Sequence, residues 1–508
     1  SSAGLFQGAS PAAAPAAVWM AFSNVSENME NSMSEQARRQ ASDPSGPTGQ
    51  LATWLANFDL SAVPDTVRER ARLLLLDGVG CALVGAQLPW SRTAVESVMA
   101  LEAEGPCSII GWGRKATAPV AALLNGTFIQ GFELDDFHPL APLHSASLIL
   151  PSLLATAERL GGIRGDRMLA AAIAGFEVGP RVGLALHGGQ MLSRGWHSGP
   201  VFGTHAAAAA VGLLLQLDAA GFEDALGLAA TQSAGLMAAQ YEAMSKRMHH
   251  GFAARNGLYA AHLAASGYSG IQRVFEREYG GFLSTFGEGH NPDATQIAHG
   301  LGDHWETPRF VLKAHAAMGG LHAGIDGLLD LVATHRFRAE DVERIDVDLS
   351  HAVYHHGWWD LARPITPIAA QMNIAYALAV TLLDGEAMVR QFAPERIDRD
   401  DVWALIPRIR AHHDAGFDQA GALGRGRTRL RIRLRDGTEL LAEQPAHKSA
   451  LHPMSREQVV AKYRRLTDGL LTAQRQRAIE DCLLSLDDLE DSTTLTELLA
   501  GPVGSAMS

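Results

Sequence analysis

From Leu51 to about Tyr279, apolar residues recur at intervals of three and four, the spacing of helices that bury one face. Pro64 stands near the start of the segment 64–71, whose charges fall on the outer side, and opens one such helix. Segments 116–131, 148–160, 167–178, 204–217 and 224–239 continue the series. Ala206 to Ala210 are consecutive alanines, which suits a helix held between close neighbours. No segment in this run reads as a strand, so the pattern predicts an all-α domain.

After about Pro308 the period shortens. Residues 342–349 largely alternate polar and apolar, and 428–435 do so more strictly, the repeat of a half-buried strand. Asp436-Gly437 then supplies a tight turn into 438–441, which reads as a hairpin. Segments 369–383 and 400–412 read as helices between these strands, and helical spacing returns over 455–499. The predicted fold is mainly α with a smaller α+β domain. The expected layout is 51–307 helical, 308–445 α+β, and 446–508 as helices returning to the first domain. Residues 1–50, rich in Ala, Ser, Pro and Gly, predict a disordered N-terminal extension; no basic start precedes a proper apolar block, as a signal peptide requires.

Composition removes several functional classes. A chain of 508 residues implies more than one domain, and a net charge of −13 argues against a nucleic-acid surface. The same charge requires that an anionic substrate be held by local cations. Cys81, Cys107 and Cys482 are widely separated and lack metal-ligand spacing, which predicts buried free thiols and a reducing, cytoplasmic setting. No uninterrupted apolar run reaches the ~18–20 residues of a membrane span. Even 168–186 is broken by Glu177, Pro180 and Arg181.

Against this background one stretch stands out. Glu133-Leu134-Asp135-Asp136-Phe137-His138, followed by His144, places carboxylates and histidines in a neighbourhood of Ala, Leu and Ile. If 131–138 is helical, Glu133 and Asp136 share a face and Asp135 points elsewhere. The cluster fits proton transfer and substrate orientation, a metal site, or a solvated turn. It lacks the repeated Glu-x-x-His of a di-iron bundle and the His-Glu-x-x-His of a zinc protease, so no metal is expected.

Lys246-Arg247-Met248-His249-His250 forms a second cluster, in which Lys246 lies beside both histidines on a helix. It reads equally as a carboxylate receptor or a solvated basic turn. Lys313, followed by the Gly-rich approach to His322 at a helix start, and the loop Arg194-Gly195-Trp196-His197-Ser198-Gly199 more often reflect packing. His355-His356-Gly357-Trp358-Trp359 is weaker still, and Arg363-Pro364 is a candidate carboxylate clamp. There is no Gly-x-Gly-x-x-Gly, phosphate loop, Gly-x-Ser-x-Gly elbow or cysteine cluster. These absences point to cofactor-free chemistry run by Glu, Asp, His and Lys on a small acidic metabolite.

Asn125-Gly126, Glu133 to Asp136 and His144 together resemble the signature of the MmgE/PrpD family. The resemblance continues through Gly195-Trp196-His197, Ala225-Leu226-Gly227 and Lys246 to Gly251. It extends over Ala254-Arg255-Asn256-Gly257, Lys313 to His322 and Gln371 to Asp384, from about Leu51 to the C-terminus. The family includes 2-methylcitrate dehydratase, cis-aconitate decarboxylase and an iminodisuccinate epimerase. Phe137-His138, the spacer before His144, 175–181 and 235–241 are most similar to the fungal cis-aconitate decarboxylases. Two positions depart from relatives: Phe137 stands where many members have threonine, and Met318 where the animal decarboxylases have histidine.

The resemblance implies a large helical domain with an α+β lid, a homodimer, and cofactor-free decarboxylation of cis-aconitate to itaconate. A 2-methylcitrate dehydratase, or a related hydro-lyase or epimerase of a small polycarboxylate, is the alternative. On this reading Lys246 neutralises a substrate carboxylate and His144 handles the proton, with Glu133 and Asp136 orienting them. Phe137, His249, Lys313 and His322 bind substrate or support the site. No nucleic-acid or membrane partner is expected.

Overall fold

The computed structural model describes residues 39–421 and 424–507. The expected extension lies outside the described residues as far as position 38. Its remainder departs from expectation, because helix α1 (Pro47–Ala56) begins before Leu51 and buries Thr48 and Gly49. Ser42 anchors this segment by donating from both its amide and its hydroxyl to Glu223.

The helical part is built around α2 (Asp65–Gly85), which is buried along most of its length. It packs against α3 (Ala118–Ile129), α4 (Ala146–Arg159) and α5 (Gly165–Ala185), while α6 (Gly188–Ser193), α7 (Thr204–Leu214), α8 (Ala219–Ala230) and α9 (Ser245–Ala265) pack on those three helices or on one another. Segments 116–131, 148–160 and 204–217 become helices that bury nearly all their residues, whereas the expected helix 224–239 ends at Ala230. Helix α5 is long and apolar enough to cross a membrane by length and composition, and 89% of that stretch is buried inside the protein. Where α3 crosses α9, Gly126 faces Gly251. A Cβ at Gly126 would stand 3.0 Å from the Gly251 Cα, and one at Gly251 would overlap the Leu123 carbonyl. This close crossing brings the first turn of α9, with Lys246, against the chain leaving α3.

A two-residue strand β1 (Asp136–Phe137) pairs antiparallel with β2 (Val311–Leu312) and ties the helical part to the α+β part. There α10 (His322–His335), α11 (Pro367–Met372) and α12 (Ile374–Asp384) accompany β3 (Val342–Leu349), β4 (Ile409–His413), β5 (Thr428–Leu434) and β6 (Glu439–Gln444). The sheet order is β4-β3-β5-β6, with β3 and β4 parallel and the other pairs antiparallel. Val347 pairs with Leu430 and Ile345 with Ile432, all buried beneath α10 and α12. The alternate residues Arg429 and Arg431 reach Asp348 on the outer face. Gly437, at φ +88°, makes the expected turn between β5 and β6.

The C-terminal helices α13 (Arg456–Thr467) and α14 (Ala473–Leu484) return to α2. One continuous core includes Leu74 and Phe128 from the helical part together with Ile325, Ile345 and Leu430 from the α+β part. Hydrophobic burial therefore runs uninterrupted across position 308. Cys81 and Cys107 are buried and Cys482 partly so, all as free thiols.

Candidate active site

The acidic segment follows α3, and the condition that 131–138 be helical is not met. The chain makes a short 3₁₀ turn (Gln130–Phe132), Glu133 adopts the left-handed region at φ 55°, and β1 begins at Asp136. Distant side chains claim the carbonyls a helix would have used. Arg247 donates to the Gly131 carbonyl, Gln371 to that of Phe132 at 2.9 Å, and Lys462 to that of Leu134 at 2.7 Å. These bonds help offset the cost of a left-handed, non-glycine residue.

Glu133 thereby lies between two lysines. One oxygen accepts from Lys246 and the other from Lys313 at 2.8 Å, with all three side chains buried. Burial, the largest influence, would raise the Glu133 carboxyl, but the charges of Lys246 and Lys313 together hold it well below the usual carboxylate range. Burial pulls Lys246 downward, against the attraction of Glu133. Lys313 also stands 3.8 Å from Asp135, whose other oxygen is 3.3 Å from His144 Nδ1. That last contact is within ion-pair reach without being aligned as a hydrogen bond.

The paired aspartates thus take the opposite orientations to those a helix would give them. Asp135 faces Lys313 and His144. Asp136 instead accepts from the Ser145 and Ala146 amides, each at 3.0 Å, at the start of α4. Burial, followed by the neighbouring charge of Asp135, pushes the Asp136 carboxyl up to about 8.

A cavity of about 310 Å³ opens beside this network. Glu133, Phe137, His144, Lys246 and Lys313 line it, as the sequence expectation grouped them. Asp136, His249 and His322 lie behind its wall. His322 Nε2 faces the Ala317 carbonyl at 3.1 Å. His249 meets the cavity-lining His197 Nδ1 to Nδ1 at 2.8 Å. Burial, and then the charge of Lys246, holds His197 well below its ordinary value and His249 at about 4. His138 supports the following spacer: Nε2 lies 2.9 Å from Glu306, and Nδ1 accepts from the Ala141 amide at 3.0 Å.

His197 belongs to the loop for which packing was the commoner expectation, yet it lines the cavity. His356, Arg425 and His447 also line it. His356 lies in the weaker histidine-tryptophan motif, whereas Arg425 and His447 belong to no motif that spacing could single out. Arg363 does not line the cavity and pairs with Asp398 and Asp400, each at 2.6 Å. Among the described residues, no group of three or more His, Cys, Asp or Glu side chains is placed to hold a metal ion.

The MmgE/PrpD N-terminal domain matches residues 49–295, and the MmgE/PrpD C-terminal domain matches residues 315–488. The chain belongs to the MmgE/PrpD family. The cis-aconitate decarboxylase-like protein oryM of Aspergillus oryzae is 43% identical to it, over 89% of this chain and 97% of its own length. The cis-aconitate decarboxylase of Aspergillus terreus is 42% identical, over 91% of this chain and 98% of its own. That of Mus musculus is 24% identical over 90% and 93%. In this MmgE/PrpD chain both matched regions contribute to the cavity, Glu133 and Lys246 from the first and Arg425 and His447 from the second.

Proposed function

We propose that this protein converts cis-aconitate to itaconate and carbon dioxide. The observation that carries the reading is one cavity lined by Lys246, Lys313 and His144 in a chain 42% identical to a cis-aconitate decarboxylase. Cleavage of the bond between the methylene carbon and its carboxylate releases carbon dioxide. The electron pair left behind forms the new terminal alkene. The former alkene shifts its electrons to its outer carbon, which takes up one proton. The trianion and one proton thus give the itaconate dianion and carbon dioxide.

Two requirements follow: a grip on carboxylates and an acid near the receiving carbon. Lys246 and Lys313 supply ammonium groups in a desolvated wall, where attraction to a carboxylate is stronger than in water. Glu133 fixes both, so neither has to be ordered when substrate arrives. His144 is the proton donor in this reading. Asp135, 3.3 Å from its Nδ1, is the carboxylate that orients the imidazole. Phe137 provides an apolar surface, with its ring 6.4 Å from that of His144.

Incubating the purified protein with cis-aconitate and following the reaction by proton NMR tests the proposal. Itaconate formation is expected. Turnover of 2-methylcitrate without itaconate from cis-aconitate would overturn it. We further propose a homodimer, on the family resemblance, with light scattering as the check. Free thiols at Cys81 and Cys107 support a reducing, cytoplasmic setting, which localisation of the tagged protein in its native cell checks.

A further inference from the structure

The cations of the cavity are not equivalent. Lys246 and Lys313 already meet Glu133, and Lys313 also lies near Asp135, so the lysine group faces carboxylates of its own. Arg425 lines the same cavity from the α+β part, in the segment leading into β5. Among the described residues, no carboxylate lies within ion-pair distance of its guanidinium, and burial lowers it with no opposing acid. Its neighbour His356 is held at about 4 by burial and then by the Arg425 charge, so it supplies no counter-charge.

The position of this guanidinium is built. The Ser350 hydroxyl donates to the Arg425 carbonyl at 2.8 Å and fixes the backbone. The guanidinium rests over the bare Cα of Gly189 in α6, where an added Cβ would overlap Nη1. Leu192, one turn along the same helix, is part of the cavity lining. A partly buried guanidinium without an acid is costly to keep, and a planar fork suits a carboxylate that arrives with the ligand.

We propose that Arg425 is a second carboxylate receptor of this cavity, holding a different substrate carboxylate from the lysine pair and selecting tricarboxylates over dicarboxylates. The inference rests on the decarboxylase reading for the identity of its substrate. It rests on the unpaired guanidinium for the rest.

The test compares wild type, Arg425→Met, Arg425→Lys and Gly189→Ala, with folding checked by circular dichroism. KM for cis-aconitate is expected to rise about tenfold or more in Arg425→Met, with a smaller change in kcat. Gly189→Ala, which displaces the fork, and Arg425→Lys, which loses it, should raise KM by smaller factors. Tricarballylate should inhibit wild type more strongly than glutarate, which lacks the central carboxylate, and that preference should collapse in Arg425→Met. A folded Arg425→Met protein with unchanged KM, or with the two inhibitors weakened equally, overturns the proposal. Should Arg425→Met not fold, unchanged KM and inhibitor preference in both Arg425→Lys and Gly189→Ala overturn it equally. If wild type makes no itaconate, the decarboxylase reading fails on its own. Calorimetric titration of tricarballylate and glutarate into wild type and the variants then still decides the role of Arg425.

Discussion

Lys313 donates to Glu133 at 2.8 Å across 180 positions of sequence, and the same carboxylate accepts from Lys246 through its other oxygen. Three buried ionic groups form one unit in which a single carboxylate bridges two ammonium groups, with Asp135 adding a second negative charge 3.8 Å from Lys313. Glu133→Gln keeps the shape and removes the bridging charge, leaving two buried ammonium groups facing an amide. Stability should fall by about 3–5 kcal/mol, read from urea denaturation, and kcat should fall by about a hundredfold or more. The sign with pH follows from the depressed carboxyl of Glu133. Its contribution is fully present above the unfolded value of about 4.3 and is lost as pH falls through the lower folded value. Glu133→Gln should therefore flatten the acid limb of the stability curve, and an unchanged limb would contradict the ionic bridge.

Asp135 and Asp136 are adjacent but serve different neighbours. Asp135→Asn removes the charge beside His144 and Lys313, and kcat is expected to fall by about tenfold or more. Asp136→Asn weakens the cap of α4 and should lose about 1 kcal/mol of stability with a smaller loss of activity. With its folded value raised to about 8, Asp136 holds a proton that the unfolded chain releases near pH 4. Its share of stability is present below the unfolded value and is lost as pH rises towards about 8. Denaturation at pH 5 and pH 8.5 checks this, since the wild-type difference should shrink in Asp136→Asn.

The contrast between these aspartates also marks how far the sequence is legible. Segments 116–131 and 148–160 appear as Ala118–Ile129 and Ala146–Arg159, because a buried face imposes a period that neighbours in the chain reveal. Strand 428–435 appears as Thr428–Leu434 for the same reason. The stretch 131–138 has carboxylates at helical spacing too, but Arg247, Gln371 and Lys462 capture its carbonyls from far along the chain. Local spacing carries no trace of those partners. Glu133, His144, Lys246 and Lys313 could be grouped only through the family resemblance, because local spacing left the Lys246 cluster open and favoured packing for the Lys313 segment. Arg425 could not, because it precedes a strand whose alternating arginines make it ordinary.

His197 and His249 share a contact between two Nδ1 atoms at 2.8 Å, which requires one ring to donate and the other to accept. Burial and then Lys246 push both below their ordinary values, so both rings are neutral at pH 7. His249 thereby fixes the orientation of His197 in the cavity wall. His249→Phe should lower kcat/KM by about tenfold, and His249→Asn, which retains hydrogen-bonding groups, should lose less. Equal steady-state constants for wild type and His249→Phe would remove the pair from the function of the site.

Lys462 reaches the back of the acidic segment from α13, 2.6 Å from Asp77 and 2.7 Å from the Leu134 carbonyl. It therefore joins two tasks, compensating a buried acid and holding the backbone beside Glu133. Lys462→Met leaves Asp77 buried without its cation and should cost about 3–5 kcal/mol. Adding Asp77→Leu removes the orphaned acid, so the double variant should recover much of that stability. The Leu134 carbonyl still lacks its donor, however, and Glu133 loses part of what holds its left-handed conformation. Activity should remain depressed after stability has returned, with kcat affected more than the melting temperature. Full recovery of both in the double variant would reduce Lys462 to a stability role, whereas recovery of stability alone identifies it as a positioning residue.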